Sequence, residues 1–316
     1  MSTAIRPGWS KPSQILFACE FPADEKAFAV ALKQAAEFDS HLILFHVYEP
    51  SDSASPNGAG AQYSTARDEK HRFASLAQRA ENLGIPCQVV VRSGSASDEI
   101  LAFLQEQKID RVIMGAHSPG PIGKLLVGSV AEAVLRRSTV PVCIVGPNVV
   151  ECTYRNYSSR KVLCDVSAQA GRHTVASFGA EVAAKHKASF ILQQVIPPQE
   201  HADLLAGRTL GQVESELLSL VPAELHNGIH TRTKAVLGDP TEELLIAGRA
   251  QGADLIVLGT QGASHFAAIT HSAIFYKVLA YAHCPVLTLS PVVLAEYRVK
   301  EDEPRMDEVN YMAGVI

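Results

Sequence analysis

Between Met114 and Val130 the chain reads Gly115-Ala-His-Ser-Pro-Gly-Pro-Ile-Gly-Lys-Leu-Leu-Val-Gly128-Ser129. Glycine at a strand end and at a helix start lets backbone N–H groups come close to an oxyanion, and a helix N-terminus adds a field that favours negative charge. Ser129 offers a hydroxyl and Lys124 a counter-charge, so the chemistry on offer is phosphate binding. The same residues suit a plainer role, with Ser129 and Glu132 as a capping box and the glycines as turn formers. Spacing alone leaves both readings open. The segment is no Walker loop, because Gly120-Pro-Ile-Gly-Lys lacks the spacing and the following Ser or Thr, and neither GxGxxG nor GxSxG occurs. Ser93-Gly94-Ser95-Ala96-Ser97-Asp98 imitates the pyrophosphate loop of ATP-dependent ligases, but its repeat partner Leu237-Gly238-Asp239-Pro240 lacks the serines, so it reads as a helix cap.

The elements that must hold this loop come in two copies. Gly94 pairs with Gly238, Glu99 with Glu243, Leu101 with Leu245, Asp110 with Asp254, Gly115 with Gly259 and Pro141 with Pro285, all at one offset of 144 residues. A constant offset means one scaffold used twice. In the first copy, Gln14–Cys19, His41–Tyr48, Cys87–Val91, Arg111–Met114 and Val140–Val145 are short apolar runs that read as strands. Phe28, Ala31, Leu32 and Ala35, and then Phe73, Leu76, Ala77 and Ala80, give two helices with one apolar face each. Ser95 with Asp98 starts a helix over 98–105, and Asp239-Pro240 does the same in the second copy, whose last strand is Val286–Leu289. Alternating strands and helices predict an α/β fold: two tandem five-stranded parallel sheets with helices on both faces. The expected division is a first domain over 1–148, a linker over 149–160, a second domain over 161–291 and a charged tail over 292–316.

The 316 residues suit two ordinary domains. A formal net charge of -5 and the lack of any Lys/Arg-rich run argue against a nucleic-acid partner. No stretch approaches the roughly 18 consecutive apolar residues of a membrane span, so no membrane partner and a cytoplasmic location are expected. The six cysteines contain no CxxC and read as reduced structural thiols, and His226 and His230 flank a glycine, which disfavours a helical metal face.

The order of elements, together with GAHSPGPIGKLLVGSVAEAVLRRSTVPVCIV and with ILFACE and FHVYEP upstream, resembles the universal stress protein family over about 290 residues from Gln14 to near Pro291. The resemblance implies Rossmann-like, adenine nucleotide alpha hydrolase-like domains and a stress-response regulatory protein, not a dedicated enzyme, with weak ATPase activity at most; the alternatives are a nucleotide-independent interaction or scaffold protein, which Ser118, Ser272 and Ala273 favour, and a slow ATPase. It implies ATP as ligand, with or without Mg²⁺, in the first domain. Glu20 then stands where the family has an acid near the ribose, with Ala18 and Cys19 before it. Val47 stands where backbone groups meet adenine, and Gly115, Gly128, Ser129 and Val130, after Met114, meet ribose and phosphates. Ser118 replaces the family's second glycine, which is expected to weaken binding, and Lys124 adds charge. In the second copy Ser272-Ala273 replaces Gly-Ser, Ser167 holds the acidic position with Asp165 two residues earlier, and Phe275 and Tyr276 fall where the first copy has Ala131 and Glu132. That half is expected to hold no nucleotide or a more apolar ligand. The resemblance also implies that the two fifth strands pair as an intrachain pseudo-dimer, allows a further homodimer, and points to a protein partner whose identity the sequence leaves open.

Overall fold

The computed structural model describes residues 7–20, 24–48, 66–118, 126–150, 161–167, 171–201, 207–259 and 275–302. Among these residues ten strands form one sheet. In the first half β1 (Gln14–Ala18), β2 (His41–Tyr48), β3 (Cys87–Ser93), β4 (Arg111–Gly115) and β7 (Val142–Val145) lie in the order β3-β2-β1-β4-β7. A two-residue ribbon, β5 (His117–Ser118) with β6 (Leu126–Val127), stands apart from it. In the second half β8 (Lys161–Asp165), β9 (Ser189–Ile196), β10 (Thr231–Leu237), β11 (Leu255–Gly259) and β12 (Val286–Leu289) repeat that order. Pairing is parallel within each half. The halves meet where β7 runs antiparallel to β12, with Val142 opposite Thr288, Cys143 opposite Leu287 and Ile144 opposite Val286. Each fifth strand, which alone would be an open edge, is thus closed by the other.

The residues expected on helix faces are the ones that bury. Phe28, Ala31 and Ala35 of the helix Glu25–Phe38 and Phe73 and Ala80 of the helix Ala66–Glu81 pack on one face of the sheet. Ile100 and Leu104 of the helix Ala96–Glu106 and Val134 and Leu135 of the helix Ser129–Arg137 pack on the other. Both apolar layers continue through the junction into the second half, so the halves share their cores.

Several repeat pairs now have physical reasons. Asp110 accepts hydrogen bonds from Ser13 N (2.8 Å), Ser13 Oγ (2.6 Å) and Gln14 N (3.1 Å), and Asp254 accepts from Lys161 N at 3.1 Å. Each carboxylate ties the start of its half's first strand to the strand beside it. Gly94 and Gly238 have φ of 141° and 158°, and a Cβ at either would press on Glu99 or Glu243.

Arg111, fully buried at the start of β4, donates to Gln34 Oε1 and to Trp9 O, both at 2.8 Å. Burial pulls its pKa down to about 10, so it remains charged at neutral pH and joins β4, the helix Glu25–Phe38 and the N-terminal turn Pro7–Ser10. At the junction, His186 Nδ1 meets Glu37 Oε1 at 2.7 Å, Asn148 Nδ2 donates to Ala280 O at 3.2 Å, and Thr288 Oγ1 donates to Val142 O at 2.9 Å. The segment after β12 forms a helix, Pro291–Asp302, that buries Val293 and Leu294 against the helix Arg172–Lys185.

Candidate functional site

In a sheet of this order the strand sequence reverses between β1 and β4, and ligands of open parallel sheets bind beyond the carboxyl ends of the strands there. A cleft of about 610 Å³ opens at this point in the first half. Its floor is strand ends: Phe17, Ala18 and Cys19 from β1 and just beyond, Phe45 and Val47 from β2, Met114 and Gly115 from β4. Gly128, Ser129, Val130 and Ala131 close one side, Ala96 and Ile100 a second, and Glu20, Asp24, Glu25, Lys26 and Pro147 the rim.

Of the residues singled out in the sequence, Ala18, Cys19, Glu20, Val47 and Met114 therefore meet in one cleft with Gly115, Gly128, Ser129 and Val130. Ser118 falls in the β5–β6 ribbon, where its backbone pairs with Leu126. Lys124 lies outside the described residues.

The start of the helix Ser129–Arg137 settles one open choice. Gly128 is the N-cap, extended at φ −61° and ψ 150°, and Ser129 is already helical. A Ser129–Glu132 capping box does not form; Glu132 N donates to Gly128 O (2.9 Å), and Arg136 donates to the Glu132 carboxylate (2.9 Å). A glycine cap supplies no side-chain acceptor, so the first-turn N–H groups keep their capacity for an anion. The helix Ala96–Glu106 also points its N-terminus at the cleft, and the Ser95 side chain makes no capping bond.

The opposite rim is tied down by hydrogen bonds and an ion pair. Asp24 caps the helix Glu25–Phe38, its Oδ1 accepting from Lys26 N (2.9 Å) and Ala27 N (3.1 Å). A Cβ on Gly115 would stand 2.8 Å from Asp24 Oδ2. Glycine at this strand end lets the cap approach closely. Lys26 Nζ donates to Pro147 O at 2.6 Å, and Glu25 pairs with Arg79 at 2.9 Å, which holds its carboxyl below the usual range. The Cys19 thiol is pushed well above its ordinary pKa by burial, with Cys87 and Glu20 adding to the rise, so it is no nucleophile. Asp24, Lys26 and Pro147 are rim residues that sequence reading did not select. The only signal was Asp24 before a helical pattern, a cap by composition.

In the second half Asp165 precedes Ser167, whose Oγ donates to Asp165 Oδ1 (2.6 Å) and accepts from Val195 N (2.7 Å). Burial raises the Asp165 pKa to about 6 against the pull of these Ser167 bonds. Residues 260–274, with Ser272 and Ala273, lie outside the described ones. Phe275 and Tyr276 are partly buried and pack against the apolar layer that runs through both halves. Tyr276 lies beside Arg136 and Glu132 of the first half, and burial raises its phenol pKa.

The sequence profile described as the universal stress protein family matches residues 13–146 and again 158–290, and the chain belongs to that family as a tandem member. It is 27% identical over 78 residues to universal stress protein MJ0577 of Methanocaldococcus jannaschii, a match covering 25% of this chain and 48%, about half, of that relative. A universal stress protein of Thermus aquaticus is 26% identical over 125 residues, 38% of this chain and 88% of that one. Two solved structures share the whole arrangement. A universal stress protein from Archaeoglobus fulgidus superposes with a TM-score of 0.65 at 18% identity, covering 89% of this chain and 97% of that one. Protein PA1789 of Pseudomonas aeruginosa superposes with 0.64 at 17% identity, covering 94% and 100%. At these identities the likeness is one of fold. Among the described residues no helix is long and apolar enough to cross a membrane.

Proposed function

We propose that this protein binds one adenine nucleotide, ATP or a relative, in the first-half cleft, and that occupancy of the cleft is what a protein partner reads in a stress response. The observation that carries the reading is the convergence of the glycine-capped N-terminus of Ser129–Arg137, Gly115 and the apolar floor of Ala18, Phe45, Val47 and Met114 on one cleft of about 610 Å³. An apolar slot beside free helix N–H groups suits a base at one end and phosphates at the other. Glu20, Asp24 and Glu25 share the rim with Lys26, whose ammonium is already engaged. Carboxylates at the rim favour nucleotide that arrives with its charge partly neutralised, as the Mg²⁺ complex. The reading is of binding: Asp24 is engaged in its cap and Glu25 with Arg79. A partner can respond only if nucleotide binds the partner-competent state more tightly than the other.

Calorimetric titration of the full chain with Mg-ATP tests this. One site per chain, lost in Gly128→Val, is expected; no heat with the wild-type protein, or an unchanged affinity in the variant, overturns the assignment.

A further inference from the structure

The two halves use the same sheet register with different side chains. Across the first half, Met114, Ala18, Phe45 and Val90 stand opposite one another in a row. Three of them, Met114, Ala18 and Phe45, line the cleft. In the second half the same register places Leu258, Asp165, Gln193 and Lys234 in that row. Ala18 is thus replaced by a carboxyl and Phe45 by an amide, with an ammonium on the next strand where the first half has Val90.

Gln193 has no exposed surface, and neither its Oε1 nor its Nε2 has a hydrogen-bond partner. Leaving a buried donor and acceptor unmade is costly, and an apolar residue of the same shape, such as the Phe found in the first half, would avoid that cost. Asp165 holds one bond of 2.6 Å from Ser167 Oγ and a longer one of 3.3 Å from Ser167 N, and none to Gln193. The two groups stand side by side with most of the carboxyl's acceptor capacity and all of the amide's still available.

We propose that the second half carries its own ligand site, with Asp165 and Gln193 as its polar floor, and that it takes a lactam-type heterocycle, a guanine-like edge with N–H donors next to a carbonyl, in place of an adenine. A carboxylate accepts adjacent N–H groups, and an amide N–H donates to the neighbouring carbonyl oxygen. An adenine edge presents a ring-nitrogen acceptor beside its amino group, and that acceptor faces the carboxylate unfavourably. Sites that hydrogen-bond a ligand discriminate sharply, because the wrong ligand leaves buried groups unpaired. This site shares no residue with the first-half cleft.

The test uses the full chain carrying Gly128→Val, so that the first cleft is blocked, titrated calorimetrically with guanosine and, separately, adenosine. Free nucleosides avoid any contribution from phosphate. Guanosine is expected to bind once per chain and adenosine at least about tenfold more weakly. Adding Gln193→Leu is expected to abolish guanosine binding while raising Tm, since it removes the unpaired amide. Asp165→Asn keeps the size, exchanges an acceptor for a donor, and is expected to weaken guanosine by about tenfold or more. No guanosine binding, equal binding of the two nucleosides, or undiminished guanosine affinity in Gln193→Leu overturns the proposal. Failure of Mg-ATP to bind the wild-type first cleft would not touch it.

Discussion

Gly115→Ala probes the join between the sheet and the rim of the first cleft. The new Cβ would lie 2.8 Å from Asp24 Oδ2 and 3.4 Å from Asp24 Cβ and Cγ. To restore ordinary contact the carboxylate must retreat by about half an ångström or more. Its other oxygen is held by Lys26 N at 2.9 Å and Ala27 N at 3.1 Å, so retreat stretches both capping bonds. Loss of an N-cap costs roughly 0.5–2 kcal/mol. Against this stands the chain-entropy gain of replacing glycine, roughly 0.4–1 kcal/mol, which applies wherever the backbone tolerates alanine; Gly115 is not among the positive-φ glycines.

A double-mutant cycle separates the two effects. Asp24→Gly leaves a residue tolerated at the cap, at a cost of a few tenths of a kcal/mol, and removes the atoms that the new Cβ would strike. In that background Gly115→Ala should be neutral or stabilising. In the wild-type background it should be less favourable by about 1 kcal/mol, a shift of about 2–4 °C for domains of this size. Urea denaturation of the four proteins gives the coupling energy, and Mg-ATP titration of the single variant should show weakened binding. If Gly115→Ala changes stability equally in both backgrounds, the contact with Asp24 is not why glycine occupies this strand end.

Two further outcomes are expected. A Cβ on Gly146 would sit 2.4 Å from the backbone oxygen of Leu279 in the other half, and backbone cannot rotate away; Gly146→Ala should therefore cost about 1–3 kcal/mol in thermal denaturation, and a loss under about 0.5 kcal/mol would refute a tight junction. Burial lowers the pKa of His186 although its bond to Glu37 opposes the shift, so the unfolded chain binds the proton more readily. Stability from this group is complete above the ordinary histidine pKa of about 6.5 and falls as pH drops below it, by up to about 1.4 kcal/mol per pH unit. His186→Asn should flatten that part of the urea-midpoint profile, and an identical profile in the variant would exclude His186 as the cause.

Much of the fold was written in local pattern. The offset of 144 residues, the apolar faces at Phe28 and Phe73, and the runs from Gln14 to Val145 determined two α/β units by periodicity alone, because burial of one helix face or one strand depends on residues near one another in the chain. Gly115, Gly128 and Ser129 were legible for the same reason, since strand ends and helix starts carry local signatures. The sequence could not choose between a Ser129 cap and a Gly128 cap, which differ by the backbone conformation of one residue; tertiary structure chose Gly128 and left the helix N–H groups facing the cleft. Nor could it bring Lys26 to Pro147 across 121 residues, or His186 to Glu37 across the junction, because those meetings depend on which strand lies beside which. The row of Asp165, Gln193 and Lys234 belongs to the same kind. Each is an ordinary polar residue in its own strand, and only the register of three strands from distant parts of the chain sets them side by side on one face of the sheet.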